Sequence, residues 1–557
     1  MIAAAILPVV LVTLLIGIHG VAAMRTTSDF LVASRRISPM VNAAAVAGEY
    51  LSAASFLGVA GLMVKNGVGA LWYPVGFTAG YIAMLALVAA PMRRTGALTV
   101  PDFAEARLGS PALRKLSAVV VLVIGGLYAV PQFQAAGLVL NVVSGAPYWF
   151  GVVLAGAAVS VTLALGGMRA ATYVQAFQFV LKLVLFTVPA VWLLVVAGPD
   201  TRRDALEPLE FTTFHRETSV QFQIGTELVV AEPTPVRVGD GSVRELAPGR
   251  YAAAEGSRWT FPAGAAVPEV DGAARPGSTE WLQPLADPSD TGHPVLATWS
   301  LLMATVLGTM GLPHIIVRFH TSPDGRSARR TAAITVGLLG AFYLFPVVYG
   351  ALGAVLRPEL YLAGATDTVV VALPATVDTG TTGAVFTALL TAGASAAFLA
   401  TSLGLLLALS GAVSHDLVPG TLRRLRLTTF AVAGVIVLLA LPAARFDVGL
   451  LVTSAFAVAA STFCPLLVLG IWWPRLTASG AIAGVLVGLV SSAGVIGANL
   501  ALGVPSGGIA VVLGQPALWS VPLAFATMIL VSLRGEPPPW ATAALLRLHL
   551  GDGVATR

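Results

Sequence analysis

An all-α polytopic membrane protein is the fold class this 557-residue sequence predicts. The expected architecture has about thirteen transmembrane helices, two inverted five-helix repeats and one small polar external insertion. Three observations carry that prediction. First, 57% of residues are hydrophobic, only 11% are charged and the mean hydropathy is +0.86, whereas soluble domains are about a quarter charged. Second, apolar runs long enough to span a bilayer, about 20 residues each, recur at 2–23, 40–65, 70–91, 116–140, 148–166, 175–197, 293–317, 331–356, 381–414, 428–442, 448–471, 478–500 and 516–533. Third, the second and seventh runs are interrupted by glycine, serine or proline, a spacing that fits two repeats whose first helices both unwind.

In chain order, the first run ends in "GVAAM", which looks like a signal-peptide cleavage site. It lacks a basic leading segment, so a retained helix is expected. The second run contains "GEYLSAASFLG", where Glu49, Ser52 and Ser55 lie between Gly48 and Gly58. An ionisable residue at membrane depth marks a functional pathway by default. Lys182, in "FQFVLKLVLF", is the second such residue, and Gln175 and Gln178 share its helical face. That polar stripe should face other helices.

Residues 198–292 are different, with eight Arg, no Lys and fifteen Asp or Glu. Segments such as "VRVGDGSVRELAPGRYAAAEGSRWTF" read as short strands joined by Gly/Asp turns, so a small β-rich external cap is expected. It is either an insertion without a transport role or a lid. The seventh run holds "GTMGLPHIIVRF", and Pro313, close to Gly308 and Gly311, should break the helix. Broken helices persist at membrane depth only where they line a cavity or are buried in protein. The ninth run carries adjacent hydroxyls, Thr401 and Ser402, among small residues. Facing an unwound helix of the first repeat, they would form an oxygen cage for a hard cation. His415–Asp416, at the end of that run, reads as a cap or gate contact.

Lys and Arg residues set the orientation. Arg25, Arg35, Arg36, Arg93, Arg94, Arg107, Arg114, Lys115, Arg169, Arg318, Arg326, Arg329, Arg330, Arg423, Arg424, Arg426, Arg475 and the C-terminal arginines fall on one side, against Lys65, Arg357 and Arg445 in the short connections of the other. A multi-pass protein of the cell membrane follows, N-terminus outside and C-terminus cytoplasmic. The net charge of +5 is then a topology signal and implies no nucleic-acid partner. The expected divisions are a first helix and loop (1–39), a first repeat (40–197), the external segment (198–292), a second repeat (293–471), two peripheral helices (472–533) and a short tail (534–557). The lone Cys464 excludes a disulfide framework. No HExxH, paired intramembrane aspartates or nucleophile with a base is present, and His314 and His415 lie on different runs, so no enzyme is expected and no cofactor.

"AGEYLSAASFLGVAGL", "GLPHIIVRF", "SGAVSHDL" and "AFAVAASTFCPLLVLGIWWPRLTASGAIAG" resemble the sodium:solute symporter family, and within it the bacterial cation/acetate (monocarboxylate) branch. The resemblance covers nearly the whole chain except the external segment and the tail. It implies the leucine-transporter-type fold, with one helix before the repeats and two after. It also implies a sodium ion between the second and ninth spans, held by backbone oxygens of Gly48, Leu51 and Ala397 and by the hydroxyls of Thr401 and Ser402. Ala400–Thr401 stands where many relatives have two serines. The substrate is expected beside that ion, near Tyr50, Ser55 and the Gly311–Pro313 break, with Gln132 from "YAVPQFQAAG".

Since few hydrogen-bonding side chains and no mid-membrane arginine are expected there, a small carboxylate fits better than a sugar, held by backbone N–H groups at half-helix ends. The implied function is import of acetate, propionate or pyruvate with sodium, by alternating access. Proton coupling, a proline-type amino-acid substrate and a transporter-like sensor are the alternatives. Glu49 has three readings: it carries a proton, neutralises Lys182, or faces an aqueous vestibule.

Overall fold

The computed structural model describes residues 2–20, 26–52, 54–239, 241–271, 273–285, 287, 292–446, 448–503, 505 and 509–550. Arg25 and residues 551–557, which entered the orientation and tail expectations, lie outside that set. Among the described residues, every predicted apolar run carries a helix. Among those residues, eight helices are long and apolar enough to cross a membrane, or nine if one bent pair counts as a single span. Runs 148–166 and 175–197 are joined in Tyr148–Val196, which kinks at Gly167. Its φ of 54° is reached at low cost only without a Cβ.

Both expected interruptions are present. The first separates Pro39–Tyr50 from Ala54–Asn66, and the two halves meet at 66°. The Ser52 amide turns back to the Tyr50 carbonyl (2.7 Å), so Gly48 loses the donor that an unbroken helix would give its carbonyl. The second lies at Leu312, whose extended backbone (φ −71°, ψ 114°) precedes the helix Pro313–His320. Proline suits that first helical position because its missing N–H would be unpaired there.

One expectation needs correction here. Arg318 belongs to no loop, since the helix continues to His320 and Arg318 is fully buried. An arginine is therefore present inside the transmembrane bundle.

The polar segment forms seven strands, β1 (Thr218–Gln221), β2 (Thr226–Val230), β3 (Thr234–Val238), β4 (Val243–Leu246), β5 (Gly249–Ala253), β6 (Arg258–Phe261) and β7 (Glu269–Val270). They pair antiparallel in two sheets, ordered β1-β6-β3-β4 and β5-β2-β7. Phe214, Phe222, Leu228, Trp259 and Phe261 bury one another, together with Tyr361 and Leu362 from the helical part of the chain. Trp281 fastens this unit to the Asn66 end of the first broken span. Its indole donates to the Val64 carbonyl (3.0 Å), and its own carbonyl accepts from the Val68 amide (3.0 Å).

Candidate substrate and cation site

The two breaks face each other, and the residues around them are paired across the gap. Tyr50 Oη is 2.8 Å from Thr309 Oγ1, joining the first broken span to the second. Ser55 Oγ is 2.9 Å from Tyr343 Oη of the neighbouring helix. Tyr128 Oη donates to Ser52 Oγ at 3.4 Å, and its ring stands edge-on to His314 at 5.2 Å. Tyr50 packs edge-on against Tyr81 and Phe77, and Phe456 closes the group beside Tyr128. The result is a zone lined by aromatic rings and hydroxyls. His314 and Tyr81 are buried in this zone and Ser402 is buried on the ninth run, and the His314 ring nitrogens, Tyr81 Oη and Ser402 Oγ have no hydrogen-bond partner among the described residues.

Beneath this zone lies a fully buried charge network. Arg318 Nε donates to Glu49 Oε2 at 2.5 Å, Nη1 donates to Thr172 Oγ1 at 2.9 Å, and Nη2 donates to the Gln175 side-chain oxygen. The Asn42 amide holds the Arg318 carbonyl (3.0 Å). Gly404 makes room for Glu49, because a Cβ there would collide with the carboxylate. Lys182 does not pair with Glu49 directly. Its Nζ donates to the carbonyls of Gly48 (2.5 Å) and Leu51 (2.8 Å) at the first break. Thr401 Oγ1 donates to the Glu49 carbonyl at 2.5 Å.

At one mouth of the bundle, Arg114 contacts Asp102 (3.2 Å), Glu105 (2.9 Å) and Asp416 (3.0 Å). Thr99 Oγ1 donates to Asp416 Oδ1 (3.0 Å), and His415 Nε2 stands 3.5 Å from Asp102 Oδ2. Asp102, His415 and Asp416 bring ligand atoms within 4.8 Å of one another. The guanidinium already supplies the positive charge that a metal would bring. A cleft lined by Thr99, Val121, Pro313, Val317, Gly411 and Asp416 connects this cluster to the second break.

Against this geometry, the sequence model of the sodium:solute symporter family matches residues 30–209 and 273–488. The chain belongs to the sodium:solute symporter family. The interval that this symporter model skips contains all seven strands. Among the symporter's relatives, an uncharacterized symporter, YwcA, of Bacillus subtilis is 28% identical over 93% of this chain and 91% of its own length. A monocarboxylic acid transporter of Corynebacterium glutamicum is 29% identical over 95% and 90%. A solved Na+-coupled sialic acid symporter superposes with a TM-score of 0.65 at 13% identity, covering 96% of this chain and 98% of that one. The expected fold, with its two inverted five-helix repeats, is the fold of this symporter, a multi-pass membrane protein. It belongs with carriers and not with enzymes.

The structure brings most of the singled-out residues together in the symporter's core. Tyr50, Ser55, Gly311 and Pro313 lie at the facing breaks, and Gly311 packs on the Ala459 carbonyl. Gln132 is buried one turn from Tyr128 and donates to its carbonyl (3.3 Å). Gly48, Leu51 and Thr401 do converge, but on a side-chain ammonium and a peptide carbonyl. Ala397 and Ala400 are buried on the same helix, and the Ala400 carbonyl accepts from Gln175 (2.7 Å). Gln178 reaches the first helix at Thr13 (3.0 Å).

Sequence reading missed Arg318 as the partner of Glu49, and missed Thr309, Tyr343 and Tyr128 in the hydroxyl zone. The quoted "GLPHIIVRF" contained the signal for Arg318, a cation five residues beyond the proline. Nothing in the local pattern pointed to Arg114 as the hub of the mouth.

Proposed function

We propose that this protein is a secondary symporter importing a short-chain monocarboxylate, such as acetate, propionate or pyruvate, together with a cation. The observation that carries this reading is the hydroxyl zone between two facing helix breaks, where Tyr50 pairs with Thr309 and Ser55 with Tyr343. It is lined by aromatic rings and single hydroxyls, which suits a substrate with one polar end better than a polyol. The monocarboxylic acid transporter of C. glutamicum supports the same class. Tyr50, Ser55, Gln132 and the Gly311–Pro313 turn are the proposed substrate contacts, with half-helix N–H groups taking the carboxylate. Membership of the family, and the Na+-coupled symporter of the same fold, support sodium as the coupling ion.

Energetics require coupling. With the N-terminus outside and the Arg114 mouth cytoplasmic, importing a monoanion into a negative-inside cell costs about 2.3 kcal/mol per 100 mV. One accompanying cation cancels that cost and adds its own gradient. Alternating access then exchanges the side on which the breaks are open.

A second reading, proton coupling, is favoured by one observation: an ammonium already stands at the carbonyls expected to hold sodium. Radiolabelled acetate, propionate and pyruvate uptake into proteoliposomes, with empty liposomes subtracted, separates these readings. A sodium gradient alone should drive accumulation. Accumulation under a proton gradient alone would establish the second reading, and no protein-dependent uptake of any of the three would refute the substrate class.

A further inference from the structure

Resting on the reading of the chain as a cation-coupled symporter, we propose that Lys182 is the resident cation of the cage at the first break and keeps sodium out of it. The break creates the site. Ser52 N turns to the Tyr50 carbonyl, and the Gly48 carbonyl, left without its helical donor, points into the bundle. The Lys182 ammonium completes that carbonyl at 2.5 Å and the Leu51 carbonyl at 2.8 Å. These are two of the oxygens that a bare cation at this break would need.

Two further groups of the expected cage are already hydrogen-bonded, while Ser402 Oγ has no partner among the described residues. The Thr401 hydroxyl acts as a donor to the Glu49 carbonyl, so its proton points toward the peptide oxygen. The Ala400 carbonyl is taken by Gln175. Sodium binds oxygens that present lone pairs, and the carbonyls of Gly48, Leu51, Glu49 and Ala400 each already accept from an N–H or O–H donor.

Charge balance points the same way. Glu49, the carboxylate in this part of the bundle, is neutralised by Arg318. A sodium ion added beside the ammonium would set two like charges at contact distance away from water, where their repulsion is poorly screened. The lysine has the advantage of being tethered, since its local concentration is fixed by the chain and does not depend on the medium. One net positive charge remains at the break, which is the sign a carboxylate substrate requires close by. Lys182 is thus a specificity-determining residue: it decides which cation this symporter can use at its first break. A transported sodium ion, where there is one, binds at other oxygens.

The test uses purified full-length protein in detergent, without substrate, so that its failure is separate from failure of the substrate assignment. Sodium-22 binding and melting temperature are followed against sodium chloride, with choline chloride holding ionic strength constant. Thr401→Ala in the otherwise unchanged chain should leave the half-saturating sodium concentration within twofold of its starting value. Lys182→Ala should bind sodium at least tenfold more tightly than the unchanged chain, with a melting temperature that sodium raises and choline does not. That gain should disappear in the double variant with Thr401→Ala. A rise of tenfold or more in half-saturating sodium on Thr401→Ala alone would overturn the proposal, because sodium would then occupy the cage with Lys182 present. A folded Lys182→Ala protein indifferent to sodium would overturn it equally. Should Lys182→Ala not fold, the Thr401→Ala comparison decides.

Discussion

Two charge clusters in this molecule use the same chemistry under opposite solvent conditions. Glu49 and Arg318 meet where neither side chain touches water. At the mouth, Arg114, Asp102 and Glu105 keep 20%, 23% and 31% of their side-chain surface, and only Asp416 is sealed. Opening the first pair strands a charge in a low-dielectric interior, a cost of several kcal/mol per ion. Opening the second exchanges protein contacts for water, which costs roughly 1 kcal/mol or less for each exposed pair. Under the proposed alternating-access cycle, one joint would stay closed and one would let go. The inner pair ties the first broken span to the second, while the outer cluster crosses the cleft leading from the second break.

The largest expected effect follows from breaking the inner pair. Arg318→Ala leaves the Glu49 carboxylate buried without its cation and should destabilise the fold by about 3–5 kcal/mol, read as lost melting temperature and lost yield of monodisperse protein. Removing both charges sharpens the comparison. Glu49→Gln with Arg318→Gln should cost clearly less than either single change, because no uncompensated charge remains. Additive losses would mean that the two residues act independently.

This contrast also separates what the sequence discloses from what it conceals. Both breaks are legible, because proline, glycine and clustered hydroxyls act on the local backbone whatever surrounds them. The polar face of Gln175, Gln178 and Lys182 is legible through helical periodicity. Which groups those side chains meet is not. Lys182 reaches Gly48 and Leu51 across more than a hundred intervening residues, and Glu49 meets a partner 269 residues away. Arg318 directly follows the last apolar residue of its run, where hydropathy gives a loop arginine and a buried one the same appearance. The positive-side count therefore absorbed it. The mouth cluster was half visible: His415–Asp416 read as a cap or gate, but its hub on another helix carried no local mark.

Breaking the outer cluster should have a smaller effect on stability and a larger one on the transport cycle. Arg114→Ala removes three carboxylate contacts at once, together with the hydrogen bond to the His415 carbonyl (3.2 Å). The expected loss is roughly 1–2 kcal/mol, since most partners are partly hydrated. Amide exchange in 98–121 and 411–417, which flank the cleft, should rise by an order of magnitude or more, while the helix around Arg318 stays protected. Equal deprotection of both regions would mean that the two clusters open together, and the distinction between permanent joint and latch would fail.

The smallest effect is a pH dependence confined to the mouth. Burial alone would raise the Asp102 carboxyl, but hydrogen bonds from His415 and the Leu98 amide, and the charge of Arg114, bring it below the usual aspartate range. A depressed folded-state value means that the unfolded chain takes up its proton first. The stabilisation is therefore fully present above the unfolded value of about 3.9 and is lost as pH falls through the folded value below it. Asp102 is partly exposed, so the contribution should be under about 1 kcal/mol. The unchanged chain should melt one or two degrees above Asp102→Asn at neutral pH, and that difference should narrow only below about pH 4. A gap that closes between pH 5 and 7 would assign the titration to a group other than Asp102. A gap that persists to the lowest accessible pH would mean that the Asp102 contact is geometric and carries no ionic contribution to the latch.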